Sequence, residues 1–206
     1  MNFQKRRTFL LALLSLCLVI GAQAQRGART KIQGLDELTS EATQIVRGTI
    51  VSARVEPHPT YNNLMTVVVT LRVDKTIKGA AAKQLEFRQF VWDVRDFKDG
   101  AIYRRGETML LLLGAVSPNG LRSPVGLGQG RFRIQKDAAG QQIAVNESGN
   151  VGLFRTASAR TTAGQMRLSA HAAQMVKENR GGPMRLDDLE TVIQGFAAKT
   201  PARSAQ

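Results

Sequence analysis

Cysteine is nearly missing from this 206-residue chain: one occurs, Cys17, inside an apolar stretch near the N-terminus. Beyond that stretch there is none, which excludes disulfides, thiolate metal sites and cysteine nucleophiles together. Histidine is scarce as well, with His58 and His171 alone. Neither has a partner nearby in sequence that suggests a metal site or a triad, so both read as surface residues. Aromatic residues make up 5% of the chain, with one tryptophan, and two of the eight phenylalanines precede residue 10. That leaves too few for a long stacking track of the kind that binds single-stranded nucleic acid. No run of five basic residues and no internal repeat occurs.

Only one long apolar run is present. Lys5, Arg6 and Arg7 precede a run from Phe9 to Ile20, and Ala22-Gln23-Ala24 follows with small residues at its first and last positions. This is the pattern of a secretory signal peptide over residues 1–24, cleaved after Ala24. The run is short of the roughly 20 apolar residues that a spanning helix needs. Leu16 before Cys17 and Leu18-Val19-Ile20 after it argue against lipidation. The expected location is therefore secreted or periplasmic, with no membrane span after cleavage, and export makes nucleic acid a poor partner.

The formal charge is +13, and removing the three basic residues of the leader leaves +10. The excess is spread along the chain. A diffuse basic surface suits either solubility or contact with something anionic, such as a cell-wall polymer or a polysaccharide. The other partner in view is a second secreted protein.

Residues 25–34 are basic and aperiodic and read as a flexible leader. LDELTSEA, from Leu35, puts Leu35, Leu38 and Ala42 on one helical face with Asp36 and Glu37 in the first turn. Two strands follow, about Gln44–Glu56 and Tyr61–Thr76, split by Glu56-Pro57-His58-Pro59. In the second, Met65, Val67, Val69, Leu71 and Val73 alternate with polar residues, the period of a strand with one face on a core. Gly48 marks a bulge or a close backbone approach. A third strand, Lys83–Trp92, puts Leu85, Phe87, Gln89 and Val91 on one face and Glu86, Arg88, Phe90 and Trp92 on the other. Met109–Leu113 is wholly apolar. Arg131–Lys136 and Gln142–Val145 form a hairpin around Asp137–Gly140. Residues 35–155 thus predict a mainly β domain, a small antiparallel barrel or sandwich. Residues 156–199 are read as a linker with one or two C-terminal helices, Leu186–Lys199 the clearer, and 200–206 as a disordered tail.

Several groups invite chemistry. Gly126-x-Gly128-x-Gly130 lacks the following helix of a phosphate loop and fits a bend in a strand. Asp93, Asp96 and Asp99 are spaced by three, whereas calcium loops place acids at alternate positions. Ser52 and Ser123 lack the strand-to-helix elbow of a hydrolase nucleophile. No acid–base pair emerges, so neither enzyme, metal nor cofactor is expected. The best ligand candidates are Arg88, Phe90 and Trp92 on the third strand, with Arg131 and Arg133 on another outward face. The competing structural reading puts Phe90 and Trp92 beneath Leu189, Ile193 and Phe196 of the last helix.

Five segments occur in order: LDEL with A-x-x-IVRGTIVS, VDKTIKG, YRRGETMLLLL, VGLGQGRFRI and LDDLETVI. Together they resemble a group of secreted bacterial proteins of undefined function whose barrel is similar to the OB fold and to tissue-inhibitor-of-metalloproteinase-like domains. The resemblance spans Leu35 to Phe196 and implies an OB-like barrel with a non-enzymatic binding role. It also raises protease inhibition, by fold analogy alone, since the inhibitors proper use an N-terminal cysteine. An envelope protein that holds an anionic polymer through a basic barrel face is the alternative expectation.

Overall fold

Two long strands form the centre of the fold. In the computed structural model, which describes residues 31–91 and 102–199, β1 (Gln44–Pro57) and β2 (Met65–Lys78) make an antiparallel hairpin fourteen residues long on each side. It is flanked by β3 (Gln84–Phe90), β4 (Thr108–Leu113), β5 (Arg131–Lys136), β6 (Gln142–Asn146) and the two-residue β7 (Met184–Arg185). All seven lie in one antiparallel sheet of order β3-β2-β1-β4-β5-β6-β7. Four α-helices lie among the described residues: α1 (Leu35–Glu41), α2 (Ala157–Gly164), α3 (Ala170–Glu178) and α4 (Leu186–Lys199). The described residues from Ile32 onward belong to a single unit. None of the described helices is long and apolar enough to cross a membrane.

Both faces of the sheet are covered, and alternation along the strands assigns each residue to its side. Ile45, Leu110, Leu112, Phe132 and Ala144 face the helices, joining Leu35, Leu38, Leu189, Val192, Ile193 and Phe196 in one apolar cluster. Val46, Val67, Val69, Leu71, Phe87, Met109 and Leu111 form the second cluster on the opposite face. The register agrees: Ile45 pairs with Leu112, and Val46 with Leu111. Residues 156–199 contribute to the first cluster and so close the core of the sheet.

The sheet stays open where a closed barrel was expected. After β4 the chain swings back towards the free edge of β3, where the Arg122 amide donates to Arg88 O at 2.7 Å. Only a single parallel bridge forms there, Arg88 with Leu121, and a second isolated bridge joins Leu113 of β4 to Pro124. Pro118 and Pro124 lack the amide donors that a continuous ladder needs. A 3-10 turn at Leu127–Gly130 then interrupts the run before β5. The glycine run, expected as a bend within a strand, is instead a short 3-10 turn ahead of β5. A Cβ on Gly130 would stand 2.5 Å from Val125 O.

Three further differences from expectation have local causes. His58 is buried, 4% exposed. Its Nδ1 accepts from the amides of Thr60 and Tyr61 at 3.1 and 3.3 Å, and its Nε2 meets Asn119 O at 2.8 Å. The two amides fix the tautomer with the proton on Nε2. Second, α2 falls in the stretch read as linker. Thr156 caps it, its Oγ1 accepting from Ala159 N, and only Ala159 and Ala163 are buried along it. Third, α4 covers the face lined by β1, β4, β5 and β6, and Phe90 is not in its cluster.

Candidate functional site

The five residues singled out from sequence do not converge. Arg88 and Phe90 lie on the face of β3 opposite Phe87, which belongs to the second cluster. Arg131 and Arg133 pair across with Leu111 and Met109, and so lie on the second-cluster side of β5. Trp92 lies outside the described residues, as do Asp93, Asp96 and Asp99. Phe90 is half-buried opposite Thr66.

All three arginines are already engaged. Arg88 donates from Nη2 to Glu56 Oε1 and from Nη1 to Thr66 Oγ1, both at 2.7 Å. Arg131, 7% exposed rather than outward, pairs with Glu147 at 3.0 Å. Its guanidinium also stands 5.2 Å from the centre of the Tyr103 ring, within cation–π range. Arg133 remains exposed and lies 4.0 Å from Glu107. Held this way, Arg88 and Arg131 fasten strands to their neighbours. Among the described residues no three His, Cys, Asp or Glu side chains gather closely enough for a metal ion.

Tyr103 closes the end of the second cluster. Its hydroxyl donates to Gln89 Oε1 at 2.7 Å, and its ring meets Phe87 edge-on. Burial pushes the phenol above its ordinary value of 10.0, and the nearby Arg131 charge acts in the opposite direction. The folded chain therefore holds this proton more tightly than the unfolded chain. That contribution is complete below pH 10 and is lost as pH rises through the folded value. We expect Tyr103→Phe to flatten the alkaline fall in stability, read as urea midpoints between about pH 8 and 11. Equal alkaline slopes in both proteins would refute the assignment.

Sequence reasoning missed a groove between α2 and α3 of about 270 Å³. Buried Ala163 and Val176 line it, together with half-buried Met166 and Leu168 from the connection and exposed Ala173. Arg160 of α2 and Lys177 of α3, both exposed, complete the lining.

Two carboxylates set the walls of this groove. Asp36 Oδ2 of α1 accepts from Thr156 Oγ1 at 2.8 Å and Ser158 Oγ at 2.6 Å, at the start of α2. Asp188 of α4, 7% exposed, accepts from Ser169 N at 3.0 Å and Ser169 Oγ at 2.6 Å. Ser169 Oγ in turn accepts from Ala172 N and caps α3. Asn179, in the left-handed region at φ 49°, ends that helix. Thr156 and Ser169 are readable as caps from sequence; the groove is not, because its floor comes from two weakly apolar segments brought together by distant acids.

No family model, no curated protein and no solved structure matches the chain.

Proposed function

We propose that this chain is an exported, non-enzymatic binding module whose ligand occupies the α2–α3 groove. The observation that carries the reading is the groove itself: an apolar floor, open to solvent, between two helices each held by a buried or capped carboxylate contact. The basic, apolar and small-residue pattern of residues 1–24 supports export. The β1–β2–β3 meander, β4 paired back on β1 and the parallel bridge of Arg88 to Leu121 support descent from an OB-like roll. A polymer held on the sheet arginines draws less support, since Arg88 and Arg131 spend their charge on Glu56 and Glu147.

The test uses an environment-sensitive apolar dye. Wild-type protein gives saturable fluorescence enhancement in the micromolar range. Ala173→Phe adds a ring at an exposed helical position on the groove wall and weakens the dye at least tenfold, with an unchanged unfolding midpoint. Dye binding indifferent to that substitution would place the ligand elsewhere and end the proposal.

A further inference from the structure

The groove has a sign. Arg160 and Lys177 line it, and no carboxylate lies within ion-pair distance of either among the described residues. From Thr156 to Asn179 the chain carries three basic residues, Arg160, Arg167 and Lys177, against the single acid Glu178. Glu178 is taken by Arg180 at 2.9 Å and by the Gln174 amide. Elsewhere in the fold the guanidinium groups of Arg88 and Arg131 each have a carboxylate. Here two cations flank an apolar floor with none.

We propose that the groove takes a free, single-chain fatty carboxylate. The chain lies on Ala163, Met166, Leu168 and Val176, and the carboxylate sits between Arg160 and Lys177. The inference rests on the groove being the ligand site. Cation and apolar surface side by side match an anionic amphiphile, because the chain gains by leaving water while the head keeps charged donors. Size sets the length. A volume of about 270 Å³ holds roughly nine groups of water size at ~30 Å³ each, which corresponds to a chain of medium length. Gly164, also in the lining, has nothing within 4 Å of where a Cβ would lie, so the groove is open on that side. The flexible Met166, whose Cε reaches over Gly195, can adapt to the chain.

Calorimetry with monomeric octanoate, decanoate and dodecanoate tests this, with decanol as the neutral control. Affinity rises about fourfold per methylene while the chain still finds groove, then levels off. Decanoate binds at least tenfold tighter than decanol. Arg160→Gln with Lys177→Gln removes that advantage and leaves decanol binding unchanged; both positions are exposed, so the fold is retained. Added salt weakens decanoate selectively. Equal binding of decanoate and decanol by wild type, or a double variant that keeps the preference, overturns the proposal. So does binding confined to vesicles of phosphatidylglycerol with no response to monomeric decanoate. If the apolar dye binds and decanoate does not, the ligand class is wrong while the groove stands. Silence from both dye and decanoate removes the groove reading as well.

Discussion

Glu190→Gln lowers the free energy of unfolding by about 3 kcal/mol, the low end of what removing one member of a buried ion pair does. Glu190 lies on α4 and its side chain is 5% exposed. Lys75 of β2 donates to its Oε2 at 2.6 Å, and Arg47 of β1 stands 3.2 Å from Oε1. The Arg47 contact is an ion pair without hydrogen-bond alignment, since Oε1 has no hydrogen-bond partner. One carboxylate therefore answers two cations and fastens the last helix to the central hairpin. Taking its charge away leaves both cations facing each other against an apolar surface. The low end applies because the Lys75 side chain is 37% exposed and can turn to water. Lys75→Met alone has a smaller effect, about 1 kcal/mol, because Arg47 still answers the acid. Replacing all three by Met, Met and Leu recovers most of the loss, as apolar groups of similar volume often match a buried ion cluster. Urea unfolding of the four proteins decides it. A Glu190→Gln variant within 0.5 kcal/mol of wild type would show the cluster to be idle.

Gly48→Ala is expected to destabilise the chain by about 3 kcal/mol or more, at or beyond the usual range for overpacking. A Cβ at this position would stand 2.2 Å from Arg72 O, 3.0 Å from Arg72 C and 2.9 Å from Leu71 Cγ. Two of these atoms are backbone and cannot rotate away. The strand register slips on either side, between Arg47 and Gly48 and between Ile50 and Ser52. Such bulges bend a strand and raise its twist. The methyl group would press β2 outward at the point where the hairpin curls over Val46, Leu71 and Met109. Gly164→Ala is the matched control: it lies in α2 with nothing within 4 Å, and is expected to be neutral or stabilising by up to about 1 kcal/mol. Thermal and urea unfolding of both separate the steric effect from the general effect of losing a glycine. Equal midpoints would remove the close approach as a determinant of the fold.

How much of this was legible in the sequence depends on the range of each interaction. Alternation in β2 placed Val67, Val69 and Leu71 on one face correctly, because side chains on a strand report their side with period two. The last helix is legible over its observed span, since Leu186, Leu189, Val192, Ile193 and Phe196 form a clear stripe. Gly48 was identifiable as a bulge or close approach from its position inside an apolar strand. The α2 helix was not, because Ala159 and Ala163 are its whole buried face and small residues give a weak periodic signal. His58 reads as a surface residue in sequence because its carbonyl partner belongs to Asn119, 61 residues away. The arginines were visible as charges, but their partnership with Glu56 and Glu147 depends on strand register and a turn, which composition does not encode. The groove combines both difficulties: weak helices, positioned by Asp36 and Asp188 from opposite ends of the chain.

The meeting of α1 and α4 in one apolar cluster also imposes an order in time. Leu35 and Leu38 come first from any machinery that delivers the chain N-terminus foremost, and Leu189, Ile193 and Phe196 come some 150 residues later. Until they arrive, Ile45, Leu110, Leu112 and Phe132 have no lid. The hairpin is local and forms early, but the domain cannot close before its C-terminal helix is out, because its decisive contacts are among the most distant in sequence. The helix-facing side of the sheet is thus completed only by the most C-terminal of the described helices.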